Sequence, residues 1–476
     1  MRKKFIYILL SASLLNFGCD ALSDFGDMNV NPGATVTPIP AALLTNVLAG
    51  IGNYAANNHL QPALYSQYVS ETQYTEASIY SLAQNSFTSF YSGSLMDLQN
   101  IINTDVNNAN MKAVAQILQQ YIFWYLTDCW GDLPYSEALN GVLPKYDTQE
   151  EIYKGLITKL TEAENSFVSD VVISGDIIYN GNVVSWKKFA NSLRMLISLQ
   201  LSKRYSGAAD YAATEFKAAL NDSDGHISDN IDNFTVRYPG GIFKNPWRSV
   251  YDGRRDYAQS KTMTDITANL GDPRQSTFGG VTEDLTAGNA LQTSNVGFPY
   301  GLSRANAEAF SSANVNFARV LRGDFRKEDS PYVVIGAAHI LLARSEAAQL
   351  GWTNENKTTL YRQGIELSFA QWEVTPPASY FTQSSVVLNG TNDANKITLQ
   401  RYLAHYPDGR MGWNIWRKSN YPELIPAPGA APGTAIPRRF VYSPTEYSSN
   451  KEGVEAAVAR MGGNDLMSNR VWWDVQ

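Results

Sequence analysis

Hydrophobic positions recur at helical spacing through much of this chain, and they are densest in residues 111–134. Apolar side chains recur there every three or four positions, at Val114, Ile117, Leu118, Tyr121, Ile122 and Tyr125. In residues 121–126 the apolar character extends round the whole helix, which is typical of a helix that neighbours cover on several sides. Gly131 can form a C-terminal cap, and Pro134 prevents continuation. The pattern predicts a central, buried helix.

The same periodicity predicts further helices before and after this one. Thr148 and Glu151 have the spacing of a capping box ahead of an apolar stripe, and a strong stripe also runs through residues 185–203. The other predicted helices cover about residues 41–51, 59–69, 94–104, 208–220, 260–270, 333–350, 357–372, 396–404, 412–418 and 453–461. Short connections between them favour antiparallel helical pairs, so the predicted fold is mainly α.

Two segments lack helical periodicity, and the sequence places a ligand-binding surface there. Residues 71–90 and 221–316 combine aromatic side chains with polar and small ones, and a long irregular run in a compact domain is usually functional. Aromatic rings stack on the apolar face of a sugar, while a few polar groups bind its hydroxyls. The candidate rings are Tyr74, Tyr80, Trp247, Tyr251, Tyr257 and Tyr300, and the candidate polar groups are Asp252, Arg254, Asp256 and Asn306.

Each candidate also has a purely structural interpretation, which the sequence leaves open. A ring in an irregular segment can cover the core instead of contacting a ligand, and Arg254 can form a surface ion pair of little energetic value. The large aromatic residues elsewhere, Trp130, Trp186, Trp472 and Trp473, are predicted to pack helices. Arg417, Arg438 and Arg439 are predicted to tie helix ends or loops to carboxylates.

The first 40 residues have the pattern of a bacterial lipoprotein export segment. Residues 1–18 combine a basic start with an apolar run too short to span a bilayer comfortably, and they end at Gly18 before Cys19. An acyl chain on Cys19 would anchor the protein to a membrane. The alternative is a simple secretory signal with an incidental cysteine, since Leu15 lies one place earlier than in the usual motif. Residues 19–40 are predicted to be an extended tether, and 41–476 a single domain with a loop-rich insertion at about 221–316.

Composition excludes some functions and favours others. The 38 basic and 45 acidic side chains give a net charge of −7, and the absence of a basic run argues against nucleic-acid binding. Charged residues make up only 17% and aromatic residues 12%, which suits neutral, hydroxylated ligands. Cys129 is predicted to be a buried free thiol.

No motif for a cofactor or a metal emerges from the chain. The four histidines lie far apart in sequence, and Asp222, Asp224 and Gly225 lack the distal glutamate of a calcium loop, so a turn is predicted. The sequence leaves open a pair of carboxylates that cleaves glycosidic bonds, because their separation in space decides that chemistry.

Eight motifs, in order along the chain, resemble those of the SusD/RagB-like outer-membrane lipoproteins of Bacteroidetes. They are Trp130-Gly131-Asp132 with Pro134-Tyr135, Trp186-Lys187-Lys188-Phe189-Ala190-Asn191-Ser192, Asp272-Pro273-Arg274, Pro299-Tyr300-Gly301-Leu302, Arg344-Ser345-Glu346-Ala347-Ala348 before Gly351-Trp352, Trp416-Arg417-Lys418 before Tyr421-Pro422, Ile436-Pro437-Arg438-Arg439, and Trp472-Trp473-Asp474. The resemblance covers essentially the whole chain.

The resemblance implies four tetratricopeptide-like helical pairs as a scaffold, with a loop-rich face that holds the ligand. It implies an oligosaccharide ligand, or a peptide in some members, and a SusC-like TonB-dependent transporter as partner. Asp20, Asp24 and Asp27 resemble the signal that directs such lipoproteins to the cell exterior. The expected function is glycan capture and delivery without catalysis. The alternatives are a peptide- or protein-binding scaffold with the same partner and, with less support, a glycoside hydrolase.

Overall fold

Helices form most of the structure, and the mainly α fold that the periodicity predicts is confirmed. The computed structural model describes residues 38–56, 60–81, 85–104, 108–141, 143–169 and 171–476, and residues 40–476 form one compact unit. Its longer helices are α1 (Pro40–Gly50), α2 (Met96–Thr104), α3 (Ala109–Trp130), α4 (Gln149–Asn165), α5 (Val183–Gln200), α6 (Tyr211–Leu220), α7 (Lys261–Leu270), α8 (Arg304–Ala313), α9 (Ala337–Gln349), α10 (Lys357–Gln371), α11 (Asp393–His405), α12 (Gly409–Ser419) and α13 (Lys451–Arg460).

Short elements connect these helices. Strands pair antiparallel in twos: β1 (Val69–Glu71) with β3 (Tyr257–Gln259), β2 (Phe234–Val236) with β6 (Tyr332–Ile335), and β4 (Gly279–Gly280) with β5 (Arg319–Val320). Short α-helices span Asn53–Ala56, Gln61–Tyr65, Thr88–Phe90, Pro246–Ser249, Gln275–Phe278, Ala287–Ala290 and Pro444–Ser449; 3-10 turns span Leu201–Lys203, Asn230–Asp232, Gly323–Arg326 and Ala378–Phe381; Tyr91–Leu95 is a π-helical turn. No helix in the described part of the chain is long and apolar enough to cross a membrane.

The central helix is α3, and it is buried along almost its whole length. Asn108 caps its start by accepting a hydrogen bond from the Met111 amide at 2.9 Å. The helix ends at Gly131, where φ is +89°, a value that favours glycine. Because α2, α4, α5 and α12 all pack on α3, the apolar residues that surround it meet protein on every side, as the sequence predicts.

Helices that follow one another in the chain pack in pairs, as the resemblance implies. They include α3 with α4, α5 with α6, α9 with α10, and α11 with α12. The predicted capping box at the start of α4 is confirmed, since the Thr148 hydroxyl accepts from the Glu151 amide at 3.2 Å and Glu151 accepts from the Thr148 amide at 2.8 Å. These pairs form the scaffold.

Three predicted elements were wrong in detail. The β-branched run at the start of the predicted 333–350 helix forms strand β6, and α9 begins only after Gly336. In the predicted helix 59–69, the described residues are helical only over Gln61–Tyr65 and enter β1 at Val69. The loop-rich stretch also contains α8, whose Ala-rich sequence has ordinary helix propensity.

Arg438 and Arg439 bind carboxylates, as predicted, whereas Arg417 binds main-chain oxygens instead of a carboxylate. Arg438 pairs with Asp474 at 2.7 Å, Arg439 pairs with Asp465, and Arg417 donates to the main-chain oxygen of Asp128 at 2.8 Å. Cys129 lies beside this network as a buried free thiol, and burial raises the pKa of its thiol well above the ordinary value. A thiol held in its neutral form is a poor nucleophile.

Two buried histidines stack where α9 and α11 meet. The ring centroids of His339 and His405 lie 3.9 Å apart. Nδ1 of His339 accepts from the Gly336 amide, and its Nε2 lies 3.1 Å from the Ala404 carbonyl oxygen. Burial lowers the pKa of His339 to about 4. Burial first, and then the His339 and Arg401 charges, holds the pKa of His405 well below its ordinary value.

This pair predicts acid sensitivity of the scaffold. An unfolded histidine has a pKa near 6.5, so below that pH the unfolded chain binds more protons than the folded one, and stability falls as pH drops toward 4. Burial raises the pKa of Glu71 to about 7, and this group acts in the opposite direction. A comparison of wild type with His405→Phe isolates the histidine contribution.

We expect the stability advantage of wild type over His405→Phe to shrink by about 1 kcal/mol or more between pH 7 and pH 4.5. Urea denaturation of both proteins at a series of pH values measures this difference. A difference that stays constant across the range would contradict the buried neutral pair.

Candidate functional site

A polar surface forms where β1 ends and its antiparallel partner β3 begins. The strands pair up to Glu71 and Tyr257, and the pairing continues because the Thr72 amide donates to the Asp256 carbonyl at 2.8 Å. The Thr72 hydroxyl donates to the Arg255 carbonyl at 2.7 Å. These bonds place the residues that follow β1 next to those that precede β3, although they are almost 200 positions apart in the chain.

Tyr74 is the exposed ring of this surface. Its side chain is 46% exposed, and two guanidinium groups flank it, with the Arg254 Cζ 5.8 Å and the Arg304 Cζ 5.0 Å from the ring centroid. Contacts of this kind hold a cation near a ring face at exposed sites. Arg304 comes from the first turn of α8, where it also donates to Glu308 at 2.8 Å.

Four carboxylates in or beside this surface, those of Asp252, Asp256, Glu283 and Asp284, are each engaged with a donor. Asp256 is buried and accepts from Arg254 and from the Gln73 side-chain amide. Asp252 pairs with Lys244 and lies 3.6 Å from Arg248. Glu283 accepts from Arg319 at 2.7 Å. The Thr286 amide and the Asn289 side chain donate to Asp284, and these bonds lower the pKa of its carboxyl.

These groups line a cleft of about 830 Å³, which we name the Tyr74 cleft. Its lining residues are Gln73, Tyr74, Arg248, Tyr251, Gly253, Arg254, Arg255, Asp256, Glu283 and Asp284. A glycosidase of the usual kind needs a carboxylic acid whose pKa is raised, opposite a second carboxylate. In this cleft, Asp252, Asp256 and Glu283 are held in ion pairs, and hydrogen-bond donors lower the pKa of Asp284. The arrangement suits binding.

Comparison with protein families identifies the group to which this chain is related. A family model named SusD-like and described as starch-binding, associating with the outer membrane, matches residues 32–443. The chain belongs to the SusD-like family. No curated protein matched the sequence.

Solved structures agree with this family. A protein described as chitin-binding is 25% identical, with a TM-score of 0.78 over 92% of this chain and 100% of its own. A SusD homolog from Bacteroides fragilis is also 25% identical, with a TM-score of 0.77 over 92% of this chain and 99% of its own. A chitin-binding SusD homolog from Flavobacterium johnsoniae shares the fold at 22% identity, with a TM-score of 0.78 over 91% of this chain and 99% of its own.

In this SusD-like protein, only some of the predicted binding residues come together. The residues that line the Tyr74 cleft include four of the predicted ones: Tyr74, Tyr251, Arg254 and Asp256. Asp252 does not line the cleft, but it lies 3.6 Å from Arg248, which does. Asn306 is exposed on α8, two positions from Arg304, but it does not line the cleft. Tyr257 is half-buried in β3.

Four of the six predicted rings are buried, contrary to the expectation that the irregular segments display them. Trp247 is 0% and Tyr251 1% exposed. The Tyr251 hydroxyl donates to the Tyr257 carbonyl and accepts from the Val320 amide at 2.7 Å, which fixes the ring within the fold. Tyr80 and Tyr300 are also buried, with their hydroxyl oxygens 3.4 Å apart. Trp247 and Tyr80 support the surface from within, whereas Tyr251 still lines the Tyr74 cleft and Tyr300 lines a second cleft at the other end of β1.

Several residues of this site were not among the predicted ones. Gln73 precedes Tyr74, and Arg255 lies between the predicted residues Arg254 and Asp256. Their position next to predicted residues is the one feature of the sequence that could have indicated them. Glu283, Asp284 and Arg304 carry no local signal, because only the folded chain brings them to Tyr74.

Among the described residues, one cluster of three carboxylates has the spacing of a metal site. Oxygen atoms of Glu164, Asp222 and Asp224 lie within 4.8 Å of one another. Lys187 occupies this group as a cation, since its Nζ lies 2.8 Å from Asp224 and 3.4 Å from Glu164. The predicted turn at Gly225 is confirmed by its amide, which donates to the Asp222 carbonyl at 3.0 Å. We assign the group as an ion-pair cluster.

Proposed function

We propose that this protein is a cell-surface glycan-binding lipoprotein that captures an oligosaccharide in the Tyr74 cleft. The observation that carries this proposal is the exposed Tyr74 ring beside Arg254 and Arg304, in a fold whose family is described as starch-binding. The ring offers an apolar face for stacking, and the guanidinium groups donate hydrogen bonds to sugar hydroxyls. The chitin-binding descriptions of two structural relatives support the same ligand class.

The captured glycan is delivered to a SusC-like TonB-dependent transporter, and no bond in it is cleaved. The family resemblance supports the transporter partner, and the engaged carboxylates of the cleft support binding without catalysis. The lipid anchor is Cys19, which lies outside the described residues, as do Asp20, Asp24 and Asp27. Cys19 anchors the protein to the outer membrane, and Asp20, Asp24 and Asp27 act as the signal that directs it to the exterior.

An array of glycans and peptides tests the ligand class. The full chain in detergent should bind a glycan with micromolar affinity, about −8 kcal/mol or weaker, because shallow stacking contacts are modest. It should release no reducing ends from that glycan. Binding to peptides alone would favour the peptide-binding alternative, and chain cleavage would place the protein among the glycoside hydrolases. Co-purification with a transporter from outer membranes tests the partner.

Lipidation gives a separate prediction. Cys19→Ala should move the protein from the membrane fraction into the soluble fraction and abolish incorporation of labelled palmitate, because a single acyl site provides the anchor. The matched control is Cys129→Ala, which should leave both unchanged, since that thiol is buried. Palmitate incorporation that persists in Cys19→Ala would contradict the assignment.

A further inference from the structure

A second, larger cleft opens at the other end of β1. It has a volume of about 1140 Å³ and lies between the exposed face of α7, residues 389–399 at the start of α11, and residues 421–428. Gln67, which precedes β1, lines this cleft, whereas Gln73, which follows β1, lines the Tyr74 cleft. The two are therefore separate sites. We name the second one the amide cleft, after Asn269, Asn392 and Asn395 in its lining.

Hydrogen bonds hold the walls of the amide cleft in place. The Gln67 side chain donates to the Ile425 carbonyl at 2.6 Å and accepts from the Thr262 hydroxyl at 2.8 Å, so it links two walls. Gln383 donates to the carbonyl of Leu270 at the end of α7, at 2.8 Å. The Lys396 ammonium donates to the Val387 carbonyl at 2.8 Å. The cleft is thus preformed, which lowers the entropic cost of binding.

Five polar side chains in the lining of the amide cleft are unengaged, whereas Gln67, Lys396 and the pair of Lys261 with Asp265 have partners within the chain. Among the described residues, the structure records no hydrogen bond from the side chains of Asn269, Asn392, Asn395, Tyr421 or Glu423 to another part of the chain. This contrasts with the Tyr74 cleft, whose carboxylates are all engaged. A side-chain amide both donates and accepts, as a sugar hydroxyl does, so several converging amides match a hydroxylated ligand.

Apolar groups complete the lining. Ile425 is 76% exposed at the edge of the cleft, and Pro426 and Pro428 are exposed beside it. Tyr421 is half-buried and contributes a ring. A mixture of apolar surface and a few convergent polar groups is typical of small-ligand sites.

We propose that the amide cleft is a second oligosaccharide-binding site, distinct from the Tyr74 cleft, for a neutral glycan chain. Its charges balance, since Lys261 pairs with Asp265 and the cleft has one further cation, Lys396, and one further anion, Glu423. Such a lining offers no net attraction for a charged ligand. The choice of a sugar rests on the proposed function of the protein.

A peptide fits this cleft less well. Extended peptides gain affinity by adding a strand to an open sheet edge. The lining residues belong to helices and irregular segments, and none lies in one of the described strands. A peptide would therefore leave its main-chain groups without a matching edge.

Calorimetric titration of the full chain in detergent with maltoheptaose and with chitohexaose tests the proposal. Asn395→Trp fills the amide cleft, and Asn354→Trp places the same ring on an exposed loop position outside it. With at least one of the two sugars, wild type and Asn354→Trp should show two binding events. Asn395→Trp should lose one of them, with a loss of affinity of ten-fold or more.

The variants separate this proposal from that for the Tyr74 cleft. Tyr74→Ala should retain the binding event that Asn395→Trp removes. If Tyr74→Ala binds like wild type in all respects, the Tyr74 cleft is contradicted as a binding site, but the amide cleft is not. Titrations of Asn395→Trp that match those of Asn354→Trp would overturn the second site. Failure of wild type to bind either sugar would also overturn it.

Discussion

Asp128→Ala should destabilise the protein by roughly 3–5 kcal/mol, the usual cost of removing one partner from a buried ion pair. Asp128 lies at the end of α3 and is fully buried. It accepts from Arg410 at 2.9 Å, and also from Asn414 and the Tyr153 hydroxyl. Because these donors come from α12 and α4, the substitution removes the ion-pair partner of the buried Arg410 guanidinium where three helices meet.

Urea denaturation of Asp128→Ala measures this loss. The control is Glu366→Ala, which removes an exposed pair with Arg362 on α10 and should change stability by less than about 1 kcal/mol. The double variant Asp128→Ala with Arg410→Met should lose less than the sum of the single variants, because the orphaned charge is removed too. A loss for Asp128→Ala no larger than that for Glu366→Ala would show that the network does not hold the helices together.

Trp247→Ala should lower the free energy of unfolding by about 3–5 kcal/mol, as for other buried large rings. Its side chain is fully buried, in the short helix Pro246–Ser249, which Asn245 caps by accepting from the Trp247 amide at 2.8 Å. That helix packs on Asn53–Ala56 and on Gly323–Arg326. Removing the ring leaves a cavity between these segments.

The matched comparison is Tyr74→Ala, because Tyr74 is the exposed ring among the candidates. That substitution should change stability by less than about 0.5 kcal/mol. Denaturation of both variants under the same conditions measures the contrast. Equal losses would mean that the structure has assigned the buried and displayed rings the wrong way round.

The scaffold was predictable because helical burial leaves a local signature. A helix surrounded by protein must be apolar on all sides, and residues 121–126 show this directly. A capping box needs only two residues three positions apart, so Thr148 and Glu151 marked the start of α4 correctly. Both signals depend on nearby residues, which a single sequence contains in full.

The site was only partly predictable, because an irregular segment has no period from which to infer the direction of a side chain. Tyr74 and Trp247 have similar polar surroundings in the sequence, yet one ring is exposed and the other is buried. Burial of Trp247 depends on contacts with segments about 75 to 200 positions away. The contact between Tyr74 and Arg304 likewise spans 230 positions, and no spacing rule connects them.

The affinity of Tyr74→Ala for the glycan identified on the array tests most directly whether the Tyr74 cleft binds glycan. The titration is made in the Asn395→Trp background, so that the amide cleft does not contribute. The control is Tyr447→Ala, which removes another exposed ring, outside the lining of either cleft. We expect Tyr74→Ala to weaken binding at least ten-fold, about 1.4 kcal/mol or more, while Tyr447→Ala binds like the parent. Undiminished binding by Tyr74→Ala would contradict the Tyr74 cleft as the glycan site.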